Sequence, residues 1–98
     1  MLDATNEALE FIQGKRRSDL DTDRKLVLSL VKELEIIGEA AGKVSPEIRT
    51  QYGAIPWQDI SGMRNRLIHA YFDIDLDVVW STVTKDLALL KTELETIP

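Results

Sequence analysis

The sequence contains no cysteine and a single histidine, His69, among its 98 residues. Without thiols it has no disulfide, no thiolate metal site and no cysteine nucleophile, so the fold must hold by packing alone. No long apolar run is free of charged residues, and Met1-Leu2-Asp3 does not begin a basic region followed by an apolar one. Neither a membrane span nor a signal peptide is therefore expected, and a cytoplasmic location is predicted.

Basic residues are also in short supply, because the formal net charge is −5. A protein that binds nucleic acid through its whole surface usually needs a broad basic face, so any contact with nucleic acid here must be local. Two basic spots exist. One is the run Lys15-Arg16-Arg17, and the other is the acid-free segment 63–71.

The length predicts one domain, residues 1–98, which buries only about 60 to 70% of the surface of its unfolded chain. With 44% hydrophobic and 30% charged residues, the composition is typical of a globular protein rather than a disordered one. Because a core of this size is thin, oligomerisation is plausible.

Apolar residues recur at helical spacing throughout, and no β-type alternation competes with them. Capping residues, glycine and proline mark where each helix begins and ends. We therefore expect an all-α fold, an antiparallel four-helix bundle with one additional short helix. The first expected helix runs from Leu2 to Gln13, and a loop follows from Lys15 to Asp19. A long helix capped by one of Asp19, Asp21 or Asp23 ends near Val44. Next come a short helix from Pro46 to Tyr52 capped by Ser45, a helix that starts at Pro56 and leads into the basic segment, and a last helix capped by Asp75.

The long helix carries apolar residues on two faces, the second of which includes Leu28 and Ile36. One face covers the domain's own core. The other either meets a second subunit, with Gly38 and Gly42 permitting close approach, or is buried inside a central helix. The sequence favours neither alternative.

The basic segment Met63-Arg-Asn-Arg-Leu-Ile-His-Ala-Tyr71 contains the residues best suited to chemistry. On a continuous helix the side chains of Arg64 and His69 diverge by about 140°. They reach one phosphate only if the helix opens near His69, if the arginine bends round, or if two subunits contribute. Asn65 and His69 are an i,i+4 pair, so Asn65 is positioned to orient the imidazole.

An arginine that holds a phosphate oxygen and a histidine that moves a proton suit RNA cleavage. The ribose 2′-OH is an internal nucleophile, so the protein need supply only a base, a cation and an acid. No metal and no cofactor are required. Since His69 is the only histidine, a homodimer would provide the second proton carrier. Against this, a lone histidine near a helix end is more often structural, and exposed arginines are common.

The segment resembles the signature of the HepT toxin family within the HEPN superfamily, which is Arg, four residues, His, one residue, Tyr. It is matched at Arg64, His69 and Tyr71. The blocks Leu34–Ala41, Ile55-Pro-Trp57 and Asp75–Trp80 resemble family blocks in the same order, so the similarity spans most of the chain. The start is shorter than in family members that carry extra residues ahead of Leu2.

This resemblance implies a metal-independent ribonuclease toxin that works as a homodimer, with Arg64 and His69 catalytic in a cleft between subunits. It also implies a partner, a minimal nucleotidyltransferase antitoxin (MntA) that transfers AMP from ATP to the motif tyrosine, here Tyr71. The added charge would occupy the place of RNA phosphate. Arg66 is a further candidate for contact with that phosphate.

Other residues have plainer explanations. Asp73, Asp75 and Asp77 alternate as metal ligands sometimes do, but no calcium-loop spacing follows, and capping or exposure explains them better. Trp57 and Trp80 would stack on bases only if they were not core or interface residues. Two alternatives to a ribonuclease remain, a catalytically silent HEPN domain that binds a nucleotidyltransferase or a nucleotide, and a structural helical adaptor.

Overall fold

The computed structural model describes residues 1–68 and 73–97, and for Arg64 it describes the main chain only. Within these ranges the chain is helical, and the only β-type pairing is an isolated bridge between Ile68 and Ile74. No helix in the described ranges is long and apolar enough to cross a bilayer. The elements are α1 (Leu2–Phe11), α2 (Asp19–Thr22), α3 (Arg24–Gly42), α4 (Pro46–Gln51), α5 (Trp57–Ser61), α6 (Met63–Leu67), α7 (Leu76–Ser81), a π-helical turn (Thr82–Asp86) and α8 (Leu87–Leu94).

The helices begin where side chains satisfy the first main-chain N–H groups. Asp23 accepts a hydrogen bond from the N–H of Leu26 and so caps α3. Ser45 caps α4 in the same way, with Pro46 at the first helical position. Asp75 accepts from the N–H of Val78 at the start of α7. The predicted caps are confirmed, with Asp23 chosen among the three candidate aspartates.

The core forms around α3, which packs against α1 on one side and against α5 and α6 on another. Leu30, Leu34 and Ile37 of α3 are completely buried. Burying each of these side chains contributes about 1.5–3 kcal/mol. The run from α7 through the π turn to α8 closes the core from the opposite side with Val79, Val83 and Leu87. The predicted all-α class and its four main helical runs are confirmed.

Three local features depart from the expected pattern. Between the predicted loop and the long helix, residues Asp19–Thr22 form a separate short helix, α2, which is not predicted from the sequence. The helix after Pro56 is divided at Gly62 into α5 and α6. The last helix widens into a π turn, where Thr82 and Thr84 donate to carbonyl oxygens four residues back, at 2.7 and 2.6 Å. Such hydroxyl bonds compete with the main-chain ladder and loosen it.

Gly38 lies at a contact between two helices of the domain and not at a subunit contact. A Cβ atom at Gly38 would lie 3.1 Å from the carbonyl oxygen of Ile60, so glycine is what allows α3 and α5 to approach each other. The role considered for Gly38 in contact with another subunit is therefore wrong. Leu28 and Ile36 nevertheless remain on the outer face, 48% and 39% exposed.

Candidate active site

Helix α6 carries the basic segment, and two buried side chains fix it to the core. Met63 is 3% exposed and Leu67 is fully buried, four residues later on the same face. Asn65 and Arg66 lie between them and are exposed to solvent. The helix therefore presents polar residues outward from a rigid apolar base.

The chain on either side of residues 69–72 is tied together. Ile68 and Ile74 form an antiparallel bridge, and the N–H of Asp75 donates to the carbonyl of Leu67 at 2.8 Å. The main chain thus leaves α6 at Leu67 and returns to the same point before α7 begins. The base of the motif is fixed by main-chain hydrogen bonds at both ends.

His69 and Tyr71 lie outside the described residues, as does the side chain of Arg64. The geometry of their predicted roles therefore stays a prediction. One of the conditions for bringing Arg64 and His69 together was that the helix opens near His69. Helix α6 ends at Leu67, two residues before it. The prediction that Asn65 orients His69 assumed one continuous helix through both residues. Because α6 ends at Leu67, that assumption does not hold, and the orienting role of Asn65 stays a prediction.

Arg66 points along the surface towards α5. Its Nη2 donates to the carbonyl oxygen of Asp59 at 3.1 Å. Arg66 also lines a hollow shared with Asp75 and Asp86. A phosphate bound by Arg66 would have these carboxylates near it, which weakens the attraction. The phosphate contact predicted for Arg66 is not tested by this arrangement.

Of the three acidic residues after the motif, Asp75 and Asp77 have structural roles, and Asp73 is exposed. Asp75 caps α7, and Asp77 accepts a hydrogen bond from Nε of Arg17 at 2.8 Å. Arg17 also pairs with Asp21 at 3.0 Å, and the hydrogen bonds to Asp77 and Asp21 raise the pKa of its guanidinium. The described residues contain no cluster of three histidine, aspartate or glutamate side chains that could hold a metal ion.

The two tryptophans differ in burial. Trp57 is 6% exposed, belongs to the core and donates from Nε1 to the carbonyl of Tyr52 at 3.2 Å. Trp80 is half-buried and packs against the same core. Trp57 is therefore a core residue and is not available to stack on a base.

Sequence reasoning missed the acidic surroundings of Arg66. Asp59 and Asp86 are far apart in the sequence, but they meet on either side of one groove, together with Glu93. Nothing in local spacing signals this arrangement, since it depends on where the fold places α8 relative to α5 and α6.

Comparison with known proteins gives a match over almost the entire chain. The profile of the family described as "Ribonuclease HepT-like" matches residues 1–97. A "Probable ribonuclease HepT" of Thermococcus cleftensis is 38% identical over 93 residues, covering 91% of this chain and 84% of that protein. No solved structure matches.

Two further relatives carry names that assign them provisionally as RNases. One, from Caldanaerobacter subterraneus subsp. tengcongensis, is 35% identical over 89 residues, covering 91% of this chain and 80% of that protein. The other, from Methanocaldococcus jannaschii, is 31% identical over 97 residues, covering 99% and 89% respectively.

An all-helical fold and a match of this extent define an RNA-cleaving enzyme of the HEPN class. Within that class, the chain belongs to the HepT-like ribonuclease family. The family predicted from the motif Arg64, His69 and Tyr71 is thereby confirmed.

Proposed function

We propose that this chain is a ribonuclease toxin that cleaves RNA without a metal ion, through Arg64 and His69 in a homodimer. The observation that carries the proposal is the match of the HepT-like family over residues 1–97 around an intact Arg-x4-His motif. The end of α6 at Leu67 supports it, because a helix that continued to His69 would turn the side chains of Arg64 and His69 about 140° apart.

The proposed reaction needs only groups that this chain provides. Neutral His69 takes the proton of a ribose 2′-OH, and the 2′ oxygen forms a bond to the adjacent phosphorus. The guanidinium of Arg64 binds the phosphate oxygens on which negative charge increases. The bond from phosphorus to the 5′ oxygen breaks, and that oxygen takes a proton from the second subunit's protonated histidine. The products are a 2′,3′-cyclic phosphate and a 5′-hydroxyl end.

The test is cleavage of RNA by the full chain in the presence of a chelator, beside His69→Ala and Arg64→Ala. We expect each substitution to lower the cleavage rate by about 10²-fold or more. Arg24→Ala, which removes an exposed cation outside both basic spots, is the matched control and should leave the rate unchanged. Equal rates for the wild type and His69→Ala would refute the assignment of His69.

The homodimer would form through the outer face of α3. Six residues recur there on one stripe, and all of them are exposed: Lys25, Leu28, Lys32, Ile36, Glu39 and Lys43. Phe11 extends the apolar part, since it borders the same shallow hollow as Leu28. In an antiparallel pair of α3 helices centred on Lys32, Leu28 faces the second copy's Ile36, and Lys25 faces its Glu39. Apart from Lys32, which meets the like charge of its own copy at the axis, the paired residues of the stripe are complementary under two-fold symmetry.

The pairing is testable because the chain has no cysteine of its own. A Lys32→Cys variant places a thiol at the two-fold axis, so mild oxidation should give a covalent dimer, whereas Lys15→Cys should not. Lys25→Glu should weaken the dimer, and adding Glu39→Lys should restore it, as measured by sedimentation. A covalent dimer formed equally well through both cysteines would rule out this register.

Regulation by a nucleotidyltransferase antitoxin of the MntA kind is the second part of the proposal, and both proteins would work in the cytoplasm. The hydroxyl oxygen of Tyr71 would attack the α-phosphorus of ATP, pyrophosphate would leave, and the hydroxyl proton would pass to solvent. The attached AMP brings negative charge beside Arg64 and His69, which repels RNA phosphate. Intact-mass analysis after incubation with such an enzyme and ATP should show one AMP per chain, and none in Tyr71→Phe.

The alternative from another class is a catalytically silent HEPN domain that binds a nucleotidyltransferase or a nucleotide. It predicts binding without cleavage, and unchanged behaviour of His69→Ala. The acid-free motif with Arg64, His69 and Tyr71 all present favours the ribonuclease.

A further inference from the structure

A groove of about 360 Å³ lies between α8 and the pair α5 and α6. Its floor is apolar, because Ile60, Met63 and Leu90 are each at most 6% exposed there. On its rim Leu89 is 70% exposed, more than any other large hydrophobic residue in the described ranges. A single exposed leucine needs no explanation, but one beside an apolar groove marks an interaction surface.

The rim of this groove is acidic. Asp59, Asp86 and Glu93 border it, and among the side chains that the structure describes Arg66 is the one cation in its lining. The guanidinium of Arg66 donates to the carbonyl of Asp59. Three carboxylates against one guanidinium repel a polyanion such as RNA and attract cationic groups. The occupant is therefore both apolar and basic.

The spacing of the acids defines the shape of that occupant. Asp86 and Glu93 are seven residues apart at the groove, which is two helical turns or about 10.5 Å. Leu89 lies between them on α8. A partner helix with two cations seven residues apart and a large apolar residue between them would match both charges and fill the groove.

We propose that this groove, which we call the Leu89 groove, docks a basic amphipathic helix of a partner protein. The apolar residue of that helix packs on Leu89 and Met63, and its two cations pair with Asp86 and Glu93. The groove borders α6, which carries the basic segment, but the proposed docking uses none of the cleavage chemistry, so it holds whether or not His69 is catalytic.

The probe is a synthetic 15-residue peptide of alanine and glutamine with a central leucine and two lysines seven residues apart on one face. A control peptide has the same composition with the lysines five residues apart, about 140° round the helix. Binding of both to the full chain is measured by calorimetry at about physiological ionic strength, where non-specific surface attraction is screened. We expect the first peptide to bind at least about tenfold more tightly, a difference of about 1.4 kcal/mol.

Substitutions at the groove test whether the peptide binds there. Glu93→Lys and Leu89→Ser should each weaken binding about tenfold. Glu95→Lys, an exposed charge reversal two residues further along, should leave it unchanged. Circular dichroism checks that each variant is folded, and Glu93→Gln replaces Glu93→Lys if the reversal unfolds the chain.

Four results would overturn the proposal. Equal binding of both peptides, or an equal loss with Glu95→Lys, would mean that only the general negative charge attracts the probe. Displacement of the peptide by single-stranded RNA would assign the groove to nucleic acid. Self-association that disappears in Leu89→Ser would assign it to a second copy of this chain.

Discussion

Helices α3 and α6 differ in what holds them in place. Helix α3 has 19 residues, a capping aspartate at its start and fully buried leucines along its length. Helix α6 has five residues, rests on Met63 and Leu67, and presents Asn65 and Arg66 to solvent. Stability therefore resides mainly in α3, while the motif is carried on a short element fixed at its base. Substitutions in the exposed part of the motif should change activity without unfolding the chain.

The largest expected effect comes from truncating the centre of α3. Leu34→Ala removes a fully buried side chain and should lower the free energy of unfolding by about 2–5 kcal/mol. Leu89→Ala, the matched change at the exposed leucine of α8, should cost less than about 0.5 kcal/mol. Urea denaturation measures both. Similar losses for the two would contradict the assignment of the core to α3.

A smaller effect follows from adding one methyl group between α3 and α5. Gly38→Ala places a Cβ about 3.1 Å from the carbonyl oxygen of Ile60, so main chain must move. We expect a net loss of about 1–2 kcal/mol after the better helix propensity of alanine is included. Gly42→Ala, whose new Cβ would meet Cβ of Ser61 at 4.0 Å, should be neutral or stabilising. Since α5 leads directly into α6, Gly38→Ala should also lower RNA cleavage.

Removing the cap of α7 should have an effect of similar or smaller size, close to the motif. Asp75→Ala deletes the hydrogen bond to Val78 and should cost about 1 kcal/mol, which lowers Tm by about 4–8 °C. Asp75→Asn keeps an acceptor and should retain most of the stability. A Tm of Asp75→Ala equal to that of the wild type would show that the cap does not hold the return of the chain after residue 72.

The smallest expected effect is a gain in stability, whereas the preceding substitutions lower it. Glu33 is 8% exposed, and its Oε2 has no hydrogen-bond partner among the residues that the structure describes. Burial, and to a lesser extent the negative charge of nearby Glu7, raise the pKa of its carboxyl. Its ionised form is thus penalised in the folded state, so this residue lowers stability as pH rises through the raised pKa. Glu33→Gln should stabilise the protein by about 1 kcal/mol or less at pH 7. The gain should disappear below about pH 4.5, near the ordinary pKa.

Thermal melts at pH 7 and at pH 4 test this sign. Glu39→Gln, an exposed position on the same helix, is the control and should change neither melt by more than a degree or two. A gain for Glu33→Gln that is as large at pH 4 as at pH 7 would show that ionisation is not its cause.

Much of the fold follows from local sequence. The caps Ser45 and Asp75 and the end of α1 before Gly14, which has a φ of +72°, all act within a few residues, so spacing alone predicts them. The π turn and the break at Gly62 could not be predicted this way, because each depends on small differences among competing hydrogen bonds. In the candidate site, the motif itself was readable, but the acids around Arg66 were not.

The sequence by itself determined the helical class, the main caps and the family, because apolar periodicity, capping hydrogen bonds and motif spacing all act over short distances along the chain. Only the tertiary structure decided that Gly38 faces α5, that Trp57 is core, and that Asp59 meets Asp86 and Glu93 across one groove. These outcomes depend on which helices pack together, and contacts between residues far apart in sequence leave no periodic signal in it.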